Sequence, residues 1–191
     1  MITKSLKPII LGIFAFSLLL VIAQFFRDEL AFHRLTIDTG NWWLILSGNF
    51  VHSNYSHLFL NIAGLWVFTF IFYSDLTLKT LIISILILAI SVGLGLYLFD
   101  LKIATYYGLS GVLYGLFLVG ATKTILQKDW LTGVVVAFFI IGKIAWDLIY
   151  GSSSASAELI GVPVAVHAHL YGAIGAFFIS IGLYLAHSKE K

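Results

Sequence analysis

Four polar residues stand near the beginnings of three separate apolar segments of this chain. Ser110 stands at the start of one segment and His169 lies just inside another. His57 and Asn61 lie four residues apart at the start of a third. A hydroxyl and an imidazole can act as a nucleophile and its general base. His57 and Asn61 share a helix face and can both donate hydrogen bonds to a developing oxyanion. Because polar groups inside a bilayer are costly, these residues are candidates for function.

Each set of polar residues also has a purely structural interpretation. A serine at the start of a helix is most often an N-cap. The spacing of Gly111 and Gly115 is typical of a close-packing face between membrane helices. His57 and Asn61 could do no more than hydrogen-bond neighbouring helices. The same glycines would also let another helix approach Ser110 closely.

The spacing around His169 favours the catalytic interpretation. His169, Gly172 and Ala176 lie on one helix face, and the two small residues would let this helix approach the one that begins at Ser110. His169 could then accept the Ser110 proton. His167 points about 160° away from His169 on an ideal helix. We therefore interpret His167 as an interface histidine without a catalytic role.

The composition is that of a membrane protein. The 191 residues are 60% hydrophobic and 10% charged, whereas soluble domains carry about 25% charged residues. The chain has no cysteine, which excludes disulfides, thiolate nucleophiles and cysteine-based metal sites. A formal charge of +2 is too small to indicate nucleic-acid binding.

Six stretches are long and apolar enough to be predicted as membrane-spanning helices, each near the ~20 residues that a bilayer requires. The predicted spans are Pro8–Phe26, Tyr55–Tyr73, Leu78–Phe99, Leu109–Leu126, Trp130–Tyr150 and Val164–Ala186. The connections are short, so we expect an all-α membrane protein with a single domain over residues 1–191. The first apolar run is longer than a signal-peptide core, which favours an uncleaved span.

The distribution of basic residues predicts the orientation. With six spans, one side of the membrane would hold Lys4, Lys7, Lys79, Lys123, Lys128, Lys189 and Lys191. The other would hold Arg27, Arg34 and Lys102. Both termini are therefore predicted to be cytoplasmic, and the second, fourth and sixth spans enter from outside. The polar residues then occupy one shallow layer, within about two helical turns of the outer surface.

Lys143 and Asp147 are four residues apart inside the fifth predicted span, and so lie on one helix face. An internal ion pair that lowers the cost of burying both charges is the favoured interpretation. A proton path is the alternative.

Taken together, the motifs resemble those of the rhomboid family of intramembrane serine proteases. The matching motifs are His57-x-x-x-Asn61, Gly108-x-Ser110-Gly111, Ala168-His169-x-x-Gly172 and a tyrosine at Tyr114. Their order and the span numbers agree with the six-span bacterial form. The resemblance implies a six-helix rhomboid-like bundle that cleaves membrane-anchored proteins near the outer face.

The resemblance also implies roles for individual residues. Ser110 would be the nucleophile and His169 the general base and acid, in a dyad without an aspartate. His57, Asn61 and the Ser110 backbone N–H would form the oxyanion hole. Tyr114 would pack against the dyad histidine. The remaining supporting residues are Gly108, Gly111 and Gly172.

Within the family, the chain length and the run from Gly108 to Leu113 resemble the rhombosortases, which process Gly-Gly-bearing C-terminal membrane anchors of exported bacterial proteins. Two positions depart from that subgroup. Tyr114 replaces an expected histidine and His167 an expected acidic residue. The implied location is the bacterial inner membrane with the site facing the periplasm. The implied partners are lipids and membrane-anchored proteins, with no cofactor, metal or nucleic acid; the sequence does not indicate an oligomeric state.

Two other classes of protein fit some of these residues. His52, His57, His167 and His169 could ligate a metal or haem in a membrane redox or transport protein, since imidazole suits zinc, copper and iron. A rhomboid-like protein that binds membrane proteins without cutting them is the other alternative.

Overall fold

The computed structural model describes residues 6–74 and 77–189, and in these ranges it has ten α-helices and two short strands. The helices before the first long connection are α1 (Leu6–Ala23), α2 (Arg27–Leu30), α3 (Arg34–Asp38), α4 (Leu44–Ser47), α5 (Tyr55–Phe72) and α6 (Leu78–Phe99). The later helices are α7 (Ser110–Leu126), α8 (Trp130–Tyr150), α9 (Ser154–Ile160) and α10 (Val166–Lys189). The strands are β1 (Phe32–His33) and β2 (Thr105–Tyr106), and short 3-10 turns occupy Gln24–Phe26 and Gly48–Phe50.

Five of these helical segments are long and apolar enough to cross a membrane. They are Lys7–Leu30, Tyr55–Phe72, Leu78–Phe99, Trp130–Tyr150 and Val166–Lys189. The fourth predicted span corresponds to α7, which is apolar but has only 17 residues. The count of six spans and the cytoplasmic termini therefore stay predictions. Lys4 and Lys191, which entered the prediction of orientation, lie outside the described residues.

Helix α7 lies at the centre of the bundle. It contacts α5, α6, α8 and α10. Aromatic side chains fill its contact with α5, where Phe117 packs edge-on against Phe68 and Phe72. Gly120 makes room there, because a Cβ on it would lie 2.6 Å from the Phe72 ring. The short helix is thus surrounded by protein along most of its length.

The described residues are mostly helical, as expected of an all-α protein, and two short strands pair beside the helices. Strands β1 and β2 pair antiparallel, with Phe32 opposite Tyr106 and His33 opposite Thr105. The segments that follow α1 and α6 run side by side here, and Phe32 and Tyr106 are buried. Buried backbone N–H and C=O groups must find partners. The pairing supplies them where the chain is too irregular to be helical.

Arg34 fastens the segment before α5 to the end of α6. Its guanidinium donates hydrogen bonds to the carbonyls of Leu96 (2.8 Å), Tyr97 (2.8 Å), Asp100 (3.0 Å) and Ile103 (3.0 Å). The last carbonyls of a helix have no partner within the helix, and a cation is favourable at this end of its dipole. One side chain therefore both caps α6 and fixes the path of the chain beyond it.

Arg34→Lys should lower the free energy of unfolding by about 1–3 kcal/mol, because an ammonium group cannot bond four separate carbonyls as the planar guanidinium does. Thermal unfolding of the purified protein in detergent measures the change. Arg27→Lys is the matched control: Arg27 donates to the Ser53 carbonyl and pairs with the exposed Asp28, a surface contact of small value. Equal melting temperatures for the two variants would contradict the capping role of Arg34.

Candidate active site

Ser110 and His169 meet at the beginnings of α7 and α10. The N-cap position of α7 is Leu109, so Ser110 is the first residue of the helix. Its Oγ lies 3.1 Å from Nε2 of His169, at hydrogen-bond distance. His169 is only 4% exposed. The serine hydroxyl therefore contacts the imidazole and does not serve as the cap that its position in the sequence suggests.

Glycines bring the two helices close enough for this contact. A Cβ on Gly172 would collide with the backbone carbonyl of Gly111. A Cβ on Gly111 would lie 2.6 Å from the carbonyl oxygen of Ala168, and one on Gly115 would lie 2.7 Å from that of Gly172. The backbones of α7 and α10 are thus in contact over one helical turn, beside the Ser110–His169 pair.

Tyr114 and Asp147 surround the His169 ring on its other sides. The Tyr114 ring stacks on the imidazole, with centroids 4.1 Å apart and planes 10° apart. Oδ2 of Asp147 lies 4.0 Å from Nδ1 of His169. Asp147 also forms the ion pair with Lys143 that the sequence predicts. A carboxylate therefore lies near the imidazole, which the sequence did not indicate, and the dyad without an aspartate stays a prediction.

His57 lies beside Ser110 in the same cavity. Gly108 has a φ of +119°, and a Cβ there would lie 2.7 Å from Nε2 of His57. Nδ1 of His57 is 3.1 Å from Ser53 Oγ, which also donates to the Ile160 carbonyl at 2.6 Å. A hydroxyl has one proton to donate. His57 can present an Nε2–H to the cavity when Ser53 donates to Nδ1 instead.

Asn61 is a predicted site residue on the same helix as His57. It is buried one turn further along α5, and its Nδ2 donates to the His57 carbonyl at 3.2 Å. In the described part of the chain, the residues lining the cavity include His57 and Ser110 but not Asn61. A carboxamide has a second N–H, so Asn61 retains a donor besides the one used within its helix.

The cavity at Ser110, of about 450 Å³, is walled mainly by two non-helical segments. These are residues 102–107, which include β2, and residues 162–165, which precede α10. The Tyr106 hydroxyl donates to the Gly108 carbonyl at 2.7 Å and so holds the turn before Ser110. Burial raises the pKa of Tyr106 well above its ordinary value, which keeps this donor neutral. Nothing in the sequence distinguishes Tyr106 from the neighbouring Tyr107.

The other histidines have separate environments. His52 is buried, its backbone N–H and C=O both pair with the Gln24 carboxamide, and burial together with the nearby His57 lowers its pKa to about 3. Nδ1 of His167 lies 2.7 Å from Asp100, away from Ser110. Within residues 6–74 and 77–189, no group of three or more His, Cys, Asp or Glu side chains could hold a metal ion.

Comparison with known proteins agrees with the resemblance of the motifs. A family model described as the rhomboid domain matches residues 39–186, which include every residue of the candidate site. The chain belongs to the rhomboid family. It is also similar to a protein of Bacillus subtilis (strain 168) named putative rhomboid protease YdcA, with 23% identity over 154 residues, 81% of this chain and 73% of the relative. Rhomboids are generally intramembrane serine proteases, and this rhomboid is an integral membrane protein.

Gly172→Ala should slow reaction of Ser110 with a fluorophosphonate, because the added methyl group pushes α10 away from the Gly111 carbonyl and separates His169 from Ser110. A displacement of about 1 Å can cost ~10²-fold in rate. The labelling rate of the purified protein measures the effect.

Gly182→Ala is the control on the same helix. A Cβ on Gly182 meets no atom within 4 Å among the described residues. This variant should label at the wild-type rate and gain about 0.5–1 kcal/mol of stability from helix propensity. Wild-type labelling of Gly172→Ala would show that the close approach is not needed for reactivity.

Proposed function

We propose that this rhomboid is an intramembrane serine endopeptidase that cleaves membrane-anchored proteins near the outer membrane face. The observation that carries the proposal is the 3.1 Å distance between Ser110 Oγ and His169 Nε2, at a cavity of about 450 Å³. His169 removes the Ser110 proton as Oγ attacks the peptide carbonyl carbon. The tetrahedral intermediate collapses to an acyl-enzyme, and His169 gives the proton to the leaving amine.

Water then hydrolyses the acyl-enzyme, with water as the nucleophile and Ser110 as the leaving group. His169 deprotonates a water molecule that attacks the acyl carbon, and Ser110 Oγ leaves with the proton. The cavity supplies the space for this water next to an otherwise apolar bundle. The reaction uses only side chains and backbone groups of this chain, so we propose that it needs no metal or cofactor.

The oxyanion hole is proposed to consist of the Ser110 backbone N–H, His57 and Asn61. The first N–H groups of a helix lack partners within the helix, and its dipole is positive at this end. His57 lines the cavity together with Ser110 and can donate from its imidazole. Asn61 contributes its second N–H from one turn below. Tyr114 supports the His169 ring by stacking, and Gly108, Gly111 and Gly172 supply the space that these positions require.

The cavity walls indicate the form of the substrate. A helical substrate has its carbonyls hydrogen-bonded and shielded, so the segment to be cut must unwind. Two non-helical walls on either side of Ser110 suit an extended segment, and their mostly apolar side chains suit residues that leave a membrane. Helix-breaking small residues near the outer end of an anchor provide such a segment. A Gly-Gly-bearing C-terminal anchor, as in rhombosortase substrates, is the specific candidate that we propose.

The distribution of basic residues and the length of α7 support a proposed placement in the membrane. We propose six spans in one domain over residues 1–191, both termini in the cytoplasm and the cavity open to the periplasm of a bacterial inner membrane. A 17-residue α7 is about 25 Å long, less than the ~30 Å hydrocarbon core. If its far end reaches the inner surface, Ser110 lies below the outer surface.

Ser110→Ala should abolish both cleavage and fluorophosphonate labelling, because it removes the hydroxyl that contacts Nε2 of His169. Co-expression with tagged membrane anchors that carry a Gly-Gly or a Leu-Leu pair measures cleavage. Ser180→Ala is the matched control, since the Ser180 hydroxyl pairs with Thr122. Retained labelling in Ser110→Ala would assign the nucleophile elsewhere. A wild-type protein that neither cleaves nor labels would favour the non-catalytic alternative.

Asn61→Ala should lower kcat by ~10²-fold with little change in KM, the usual effect of removing one oxyanion donor. Asn61 would stabilise the charge that develops in the transition state and not the bound substrate. Its removal should therefore change kcat and leave KM nearly unchanged. Kinetics on a purified anchor peptide measure both. An unchanged kcat in a protein with the wild-type melting temperature would remove Asn61 from the oxyanion hole.

A further inference from the structure

We propose that Asp147 is a positioning residue that orients His169 through the ring nitrogen Nδ1. The site would then be a Ser110–His169–Asp147 triad and not a dyad. This inference rests on the proposed function. It concerns a residue whose sequence position suggests only an ion pair with Lys143.

The burial of Asp147 is the first observation. Most of α8 faces outward, and its buried residues are Gly133, Ile144 and Asp147. The Asp147 side chain is 1% exposed. A carboxylate is among the most expensive groups to bury away from water. Its position on the inner face of a mostly outward-facing helix therefore calls for a partner inside the bundle.

His169 supplies that partner. Its Nε2 faces Ser110 Oγ, and Tyr114 covers one face of its ring. Its Nδ1 is buried and has no hydrogen-bond partner among the described residues. Oδ2 of Asp147 is 4.0 Å from this nitrogen. A buried N–H without a partner is costly, and the acceptor beside this one is the Asp147 carboxylate, which also pairs with Lys143.

A histidine that acts as a general base needs one particular ring tautomer. His169 can accept the Ser110 proton at Nε2 only if the neutral ring carries its proton on Nδ1. A carboxylate next to Nδ1 selects that tautomer and stabilises the imidazolium that forms during attack. Catalytic hydrogen bonds are often long before substrate binds and shorten in the complex. A closure of about 1 Å, or one bridging water, links the two groups.

Lys143 offers the competing structural explanation, in which Asp147 serves only to neutralise the lysine. The geometry argues against it. The Lys143 side chain is 51% exposed, so it reaches inward to a carboxylate that is already buried against His169. The outward face of a membrane-spanning helix meets lipid, so neutralising Lys143 requires a nearby carboxylate but does not require that carboxylate to lie 4.0 Å from His169 Nδ1. The same carboxylate therefore faces Lys143 and the Nδ1 atom of His169.

The first test is the tautomer of His169 in the resting protein, which does not depend on proteolysis. Nitrogen-15 NMR of histidine-labelled protein in detergent, at mildly alkaline pH where imidazole is neutral, distinguishes the two tautomers. His169→Gln assigns the signal. We expect the wild-type proton on Nδ1, and loss of this preference in Asp147→Asn. A wild-type proton on Nε2, or identical spectra for the two proteins, would overturn the proposal.

The second test separates positioning from charge neutralisation. Asp147→Asn should lower kcat by about 10- to 100-fold with KM little changed. This is less than the ~10⁴-fold known for a directly hydrogen-bonded triad aspartate, because the resting distance here is longer. The double variant Lys143→Gln/Asp147→Asn carries no unpaired lysine, so it should be as slow as Asp147→Asn. Recovery of the wild-type kcat in the double variant would reduce Asp147 to a counter-ion.

Asp129→Asn is the matched control for the second test. It makes the same chemical change at the other end of α8, where Asp129 is the N-cap and accepts from Thr132. Asparagine caps a helix equally well, so kcat should not change. The two proposals also fail separately. A protein without Ser110-dependent cleavage refutes the proposed protease, whereas a protein that cleaves and keeps the same His169 tautomer and kcat in Asp147→Asn refutes the role of Asp147 alone.

Discussion

The contact between the backbones of α7 and α10 is the constraint on which the rest of the site depends. Gly111 and Gly172 lie so close that neither can carry a side chain without moving a helix. A hydrogen bond between the short Ser110 side chain and His169 requires this approach. Small residues are the usual means of close packing in membranes, where no hydrophobic effect drives helices together. Here the same contact sets a distance between reactive groups, so helix packing and chemistry rest on one pair of glycines.

The end of the bundle that holds the cavity is built differently from its interior. The long helices pack through apolar side chains, whereas the segments around the cavity are held by side chains that bond to backbone groups. Arg34, Tyr106 and Gln24 each satisfy carbonyls that a non-helical chain leaves open. Irregular backbone is tolerated in a membrane only when its polar groups are paired within the protein or at a water-filled cavity. These bonds therefore let the chain depart from helical structure where an extended substrate is proposed to lie.

The sequence was sufficient to predict the features that depend on local spacing. Runs of apolar residues predicted the long helices, and the small residues after His169 predicted the helix face that contacts α7. The short helices α2, α3 and α4 and the pairing of β1 with β2 were not predicted. They are fixed by contacts between distant segments, such as the bonds from Arg34 to the end of α6.

Asp147 shows a second reason why sequence reasoning falls short. Its spacing from Lys143 predicted an ion pair, and that pair forms. Because the pair with Lys143 already accounted for the buried charge, the sequence did not indicate a second partner for Asp147. The face of α8 that meets α10 depends on how the two helices pack, which no periodicity within α8 reveals. A charged residue inside a membrane can therefore form an ion pair within its own helix and also contact a residue of another helix. Sequence spacing indicates only the first of these contacts.

The position of the polar residues bears on how water could reach a site inside an apolar bundle. A peptide bond cannot be hydrolysed without water, yet water deep in the bundle would compete for the hydrogen bonds that hold the helices. Ser110, His169, Asp147 and His57 all lie at one end of their helices, next to the cavity or directly beneath it. Beyond this layer the α5–α7 contact consists of the Phe68, Phe72 and Phe117 rings. A cavity at this end of the helices would let the proposed hydrolysis draw on water without opening the apolar contacts between α5 and α7.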